Sequence, residues 1–197
     1  MTPLIRTRRL SDTIYHLFDG HVTPAAKREF LAAGAHDAVH EHHRAISFLV
    51  AEGLHGSAFC LLRPMFDGCI RGLWLLHIAG VGEMDRFVEG KYDPKPSQVL
   101  KGVEKRELAG AEALRRVYDE GWIAMSSYVH GGYQQIVGRL GVGFVGSNYS
   151  EEDVGALLEQ ANWFALLAAI ELAEISANQS LVEAVIEVGH RYSDGQI

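Results

Sequence analysis

The chain is short of several things, and each shortage removes a class of protein. It has two cysteines in 197 residues, Cys60 and Cys69, too few for a disulfide-stapled secreted domain. At nine positions apart on one helix they lie roughly 13 Å from each other, so they read as small buried residues of a reducing compartment rather than as a bridge. The opening residues, Met1 to Arg6, hold no apolar core and no small-residue cleavage site of a secretion signal. The most apolar stretch, positions 54–82, carries Arg63, Asp67 and Arg71 in its middle, which disfavours a membrane span. Cytoplasmic location is the expectation that remains. Positive charge is also scarce: 18 Lys and Arg against 25 Asp and Glu give a net charge of −7 and a pI near 5.8. That balance argues against a protein held on nucleic acid by bulk charge. The one dense basic cluster, Arg6, Arg8 and Arg9, reads as a solvated helix face. Nowhere does apolar and polar alternation persist long enough for a strand.

What the chain does have is a 3.6-residue apolar period in nearly every long segment. The expected fold is all-α: a single-domain bundle over residues 1–197, with about five main helices and an irregular insertion near 80–110. Helices are expected over 4–18, from Thr23-Pro24 to about 52, over 54–78, over 111–129 and from 150 to about 177. A short final helix should start with a Ser180/Glu183 capping box and end near 192. The insertion holds the pieces 83–89 and 97–108, and 133–140 is one more short helix. Positions 141–146, rich in glycine, follow no strand and lack the Lys-Ser/Thr ending of a phosphate loop, so they read as a connector.

The third expected helix carries most of the chemistry. At about 100° per residue, Leu62, Phe66, Cys69, Leu73 and Leu76 form one apolar face, and Arg63, Asp67, Trp74 and His77 form a stripe beside it. Asp67 is four residues from both Arg63 and Arg71, the spacing at which helical side chains meet. Charges on so apolar a helix must be paired. They form either a buried ion pair that fixes helix register or a cleft for an anion or a reaction. His130, before Gly131-Gly132 at the end of the fourth main helix, is either a C-terminal capping residue or a general base supported by Ser126. His36, His40 and His43 share a helical face at a spacing that can grip a transition metal, but no fourth ligand is visible, and a surface histidine cluster is the expected reading. No cofactor is expected.

The run His42-His43-Arg44-Ala45-Ile46, Gly53, Leu61-Leu62-Arg63-Pro64-x-Phe66-Asp67 and Arg71-Gly72-Leu73-Trp74, with Ser127-Tyr128-Val129-His130-Gly131, resembles a group of bacterial all-helical domains of unknown function. Their hallmark is Arg-Pro-(hydrophobic)₂-Glu, then Arg-x-x-Trp, then a later His-Gly. The resemblance covers residues 36–178, with Asp67 standing where glutamate is expected. The group is distantly similar to the HEPN superfamily, many of whose members are metal-independent ribonucleases of toxin–antitoxin and antiphage systems, often dimeric. That superfamily's signature is an arginine, four to six residues, then a histidine. Arg71 and His77 match it in spacing, although six positions on a regular helix set them about 120° apart. The resemblance implies RNA as substrate, with His77 or His130 deprotonating a ribose 2′-hydroxyl and Arg63 or Arg71 stabilising charge on the phosphate. The rival expectation is a non-catalytic helical module that binds a small anionic ligand or a protein partner through the Arg63/Asp67/Trp74 stripe. A homo-oligomer is expected in either case, and an exposed face around Trp163 to Leu167 would support it.

Overall fold

The computed structural model describes every residue except 21–25 and Ala109. Its elements run α1 (Pro3–Phe18), α2 (Lys27–Ala51), α3 (His55–Cys60), α4 (Leu62–Leu73), a π-turn (Trp74–Ile78), α5 (Val81–Val88), α6 (Pro96–Lys105), α7 (Ala111–Val129), α8 (Tyr133–Val137), a small antiparallel hairpin β1 (Leu140–Gly141) and β2 (Phe144–Val145), α9 (Glu151–Ile175) and α10 (Gln179–Ser193). Among the described residues the chain is all-α but for that hairpin, and "about five" main helices understates the number. The proposed start of the second helix at Thr23-Pro24 lies outside the described residues.

The centre of the bundle is α9. Its apolar residues face every direction, so it must be covered all round. On one side Leu157, Leu158, Ala161, Phe164 and Ala168 pack with Phe66, Leu73 and Ile46. On the other, Ala165, Ala169 and Ala173 meet Leu10, Ile14, Leu181, Val185 and Val188. The alanines let α1, α2, α4 and α10 approach α9 closely. Each large aliphatic or aromatic side chain buried here contributes about 1.5–3 kcal/mol. The start of α9 is capped as its sequence indicates: Ser150 Oγ accepts from the Asp153 N–H at 3.1 Å, and Asp153 accepts from the Ser150 N–H at 2.9 Å. The final helix starts differently. Asn178, not Ser180, is its N-cap and accepts from the Leu181 N–H at 3.3 Å.

The segment expected as one helix over 54–78 is broken twice. Pro64 has no N–H to donate to the Cys60 carbonyl, and its ring crowds that turn. The helix therefore stops at Leu61 and restarts, with the Met65 N–H reaching Leu61 O at 3.2 Å. At its far end the last turn widens, and the Ala79 N–H bonds five residues back to Trp74 O at 2.8 Å. The carbonyls left over there are taken by one side chain from α2: Arg28 donates to Leu75 O at 2.6 Å, Leu76 O at 3.1 Å and Ala79 O at 2.6 Å. The expected connector at 141–146 is instead the hairpin. Its two-residue turn ends on Gly143 at φ +80°, a conformation glycine adopts without strain.

α4 lies close on α2 because Gly68 and Gly72 face it. A methyl group at Gly68 would come within 2.7 Å of Val39 Cγ2, and one at Gly72 would land inside the His36 ring. Gly72→Ala should therefore cost about 1–3 kcal/mol, the usual range for overpacking, read as a lowered melting temperature. Adding His36→Ala should recover part of that loss; a double variant no more stable than the sum of the two singles would refute the clash.

Candidate functional site

The sequence-expected site residues fall into three separate places. Arg63, Asp67 and Arg71 stay together. Asp67 Oδ2 accepts from Arg63 Nε at 3.1 Å, and its Oδ1 lies 3.4 Å from Arg71 Nη1, an ion pair without hydrogen-bond geometry. Arg71 also grips Asp93 of the insertion side-on, Nε and Nη2 to Oδ1 at 3.0 and 2.8 Å and Nη2 to Oδ2 at 3.0 Å. Arg63 reaches the other way, donating from Nη1 to Ser126 Oγ at 2.5 Å while its guanidinium lies 3.2 Å above the centre of the Trp122 ring. The stripe therefore bolts α4 to α7 and to the insertion. Every nitrogen of Arg71 faces a carboxylate, and Arg63 retains only Nη2 without a protein partner among the described residues.

His77 goes elsewhere. The π-turn carries it to α9, where Nε2 lies 2.8 Å from Glu171 Oε2, a carboxylate 4% exposed. Trp74 is buried too, under the insertion, with Phe87 and Tyr92 at ring distances of 5.6 and 6.0 Å. His130 caps the end of α7, its N–H bonded to Ser126 O at 3.0 Å, and its side chain is exposed. The Ser126 hydroxyl does not serve it. That hydroxyl donates to Trp122 O at 2.7 Å and accepts from Arg63.

The histidine row of α2 overturns the surface expectation. His36 and His43 are fully buried, and His40 is half-buried with its Nε2 sealed from solvent. Among the described residues no three His, Cys, Asp or Glu side chains are placed to hold a metal ion. Burial pushes the His36 imidazole down to about 4, with nearby Glu171 opposing and His77 adding to the shift. Burial, then His43 and His36, pushes His40 down to about 3. Burial also lowers His43, against its bond to Asn162. His43 Nε2 donates to Asn162 Oδ1 at 2.7 Å. The amide of Asn162 in turn donates to Thr7 Oγ1 at 3.0 Å and Tyr192 Oη at 2.7 Å, and Tyr192 donates to Glu159 at 2.6 Å. Asn162 and Glu171 were missed in the sequence, where the one available signal is a lone polar residue inside the apolar run of α9.

Arg6 is likewise no free surface charge. It donates to Tyr192 O at 2.7 Å and Ile197 O at 3.0 Å, and its guanidinium rests over the Tyr192 ring. Apolar surface is instead exposed from α7 to the hairpin: Ile123, Tyr133 and Val145 are 83%, 71% and 81% exposed. Beside α7 lies a groove of about 670 Å³ lined by Phe59, Val117, Met125 and Trp163 and also by Arg116, Glu120 and Glu159.

Residues 36–196 match a family of unknown function, DUF6988. The chain belongs to that family. No curated protein and no solved structure matches it. The match takes in α3 to α10 and most of α2 and leaves α1 outside.

Two outcomes test this geometry. Asp67→Asn removes the charge shared by two partly buried guanidinium groups and should cost about 1–3 kcal/mol in a denaturant melt, discounted from a fully buried pair because all three side chains are partly wetted. A change within error would show that the clamp contributes nothing. Stability should also fall with acid. The buried histidines hold folded-state pKa values below the ordinary 6.5, so below that pH the unfolded chain takes up more protons, and the loss continues down to the folded values. For His36 alone this is about 2 kcal/mol by about pH 5. A melting temperature unchanged from neutral pH to there would contradict the burial.

Proposed function

We propose that the protein is a non-catalytic helical module that works as a homodimer, joined through the face formed by α7, α8 and the hairpin. The observation that carries this reading is the charge and exposure pattern of positions 121–150. In a chain that is 22% charged, the one Asp, Glu, Lys or Arg in that segment is Arg139. The segment also displays Ile123, Tyr133, Ile136, Leu140, Val142, Phe144 and Val145 to solvent. A standard interface takes about 20–30 residues from each partner, which is the size of this segment. Two chains of net charge −7 repel, and positions 121–150, which hold no Asp or Glu, are where they can meet at least cost. The face first considered for association, around Trp163 to Leu167, is turned mostly into the core.

The ribonuclease implied by the HEPN resemblance draws less support. It needs a histidine and a free guanidinium at one phosphate. Arg71 is committed to Asp67 and Asp93, Arg63 to Asp67, Ser126 and Trp122, and His77 to Glu171. The same commitments weaken the stripe as a site for a small anion.

Purified protein at micromolar concentration should sediment as a dimer, and the pair Ile123→Glu with Val145→Glu should give a monomer that still melts cooperatively, at a temperature lowered by the loss of association. A wild type that remains monomeric would remove the proposal. In EDTA, a mixed RNA pool should stay intact with wild type. Cleavage that disappears in folded His130→Ala or Arg63→Ala would install the nuclease reading instead.

A further inference from the structure

The exposed face of α7, α8 and the hairpin borders the groove that runs between α7 and α9. The groove's floor is apolar, made by Phe59, Leu62, Met125 and Trp163. Its walls are low, because Ala113, Gly121 and Ala124 on α7 and Ala156 on α9 add little to the backbone. A methyl group at Gly121 would meet nothing nearer than the Met125 methyl at 3.8 Å, so that wall has room to spare. α7 packs chiefly on α3, α4, α6 and α8 rather than on α9. An apolar floor between two separated helices is a shape that receives the apolar edge of a third.

Charge narrows what that third helix can be. Three charged residues line the groove: Arg116, Glu120 and Glu159. Arg116 lies 3.6 Å from Glu112, and Glu159 accepts from Arg6 and from Tyr192. Among the described residues Glu120 makes no ion pair, and neither does Arg139, the one charged residue of positions 121–150. Arg116, Glu120 and Ile123 follow one another at helical spacing, which sets Glu120 on the rim between the groove and the exposed Ile123. Arg139 follows closely on α8, which shows Tyr133, Ile136 and Val137 to solvent. One chain thus carries an apolar floor with a carboxylate at its edge, and also a short apolar helix with a cation just beyond it.

We propose, resting on the homodimer reading above, that α8 of each copy docks in the α7/α9 groove of the other, with Arg139 paired to Glu120 of the partner subunit. An antiparallel approach of the two α7 helices across a twofold axis carries each α8 towards the middle of the other's α7, where Glu120 stands. The contact is then made twice, as an isologous interface requires. The apolar edge supplies the adhesion, and the two rim pairs set register and exclude other partners.

The test is sedimentation equilibrium of the full chain and four variants, each checked for a cooperative melt. Ala156→Trp fills the groove from α9, a helix outside the exposed face, at an exposed position. It should weaken self-association at least tenfold. Arg139→Glu and Glu120→Arg should each weaken it about tenfold, because two symmetry-related attractions become repulsions. The double reversal should restore most of the affinity. Glu120→Arg also makes the chain less negative, so general repulsion alone predicts the opposite, a tighter dimer. A wild-type dimer indifferent to Ala156→Trp and to both reversals would overturn this docking and leave the homodimer standing. A double reversal no better than the single ones would sink the pairing, and a monomeric wild type would remove both proposals.

Discussion

A single buried amide holds four helices in register. Asn162 sits mid-way along α9 with 1% of its surface exposed, and its side chain has three protein partners: His43 on α2, Thr7 on α1 and Tyr192 on α10. A polar group in such a place is expensive unless every partner is present, so sliding any of the four helices by one turn would strand at least one of them. The apolar clusters on the two sides of α9 supply the bulk of the stability. They would tolerate several packings, since alanine and leucine faces are forgiving. The amide admits one.

The same logic explains why the charged stripe of α4 looked like a site. Arginine and aspartate at i, i+4 spacing beside an apolar face are what a catalytic cleft needs, and also what a clamp needs. The difference lies in what else reaches them. Ser126, Trp122 and Asp93 come from segments distant in sequence, and between them they consume the guanidinium groups. The charges of this helix thus join the peripheral α5–α7 region to the core. The surfaces with fewer internal commitments lie elsewhere on the molecule.

Much of the fold was legible because helical periodicity is local. The extents of α1, α7 and α9, the Ser150 cap and the stop at Gly131-Gly132 all follow from residues within a turn or two of one another. The errors share a cause. Reading positions 54–78 as one helix gave too little weight to Pro64 and offered no sign of the π-turn, which depends on Arg28 arriving from α2 to take three carbonyls. The histidines of α2 read as surface residues in the sequence because histidine is usually exposed and amphipathic. Only the glycines of α4, which admit the His36 ring, and Asn162, which satisfies His43, make the inward orientation possible. Neither relation has a signature within α2. The stripe Arg63, Asp67 and Arg71 was found by spacing alone; its partners were not, since nothing in sequence links Ser126 or Asp93 to it.

The two thiols occupy different depths, and this gives the molecule an internal clock for its own opening. Cys69 is sealed in the core against the Phe164 carbonyl, and burial pushes its thiol far above the ordinary value. Cys60 sits half-buried at the break between α3 and α4, beside the carbonyls of Gly56 and Tyr128. Alkylation of Cys60 would report fluctuations that part α3 from α7, whereas Cys69 would react only when α4 leaves α9, that is, on global unfolding. With no other cysteines in the chain, the labelling rates of these two atoms separate the breathing of the α7 region from the lifetime of the core, without any change to the sequence.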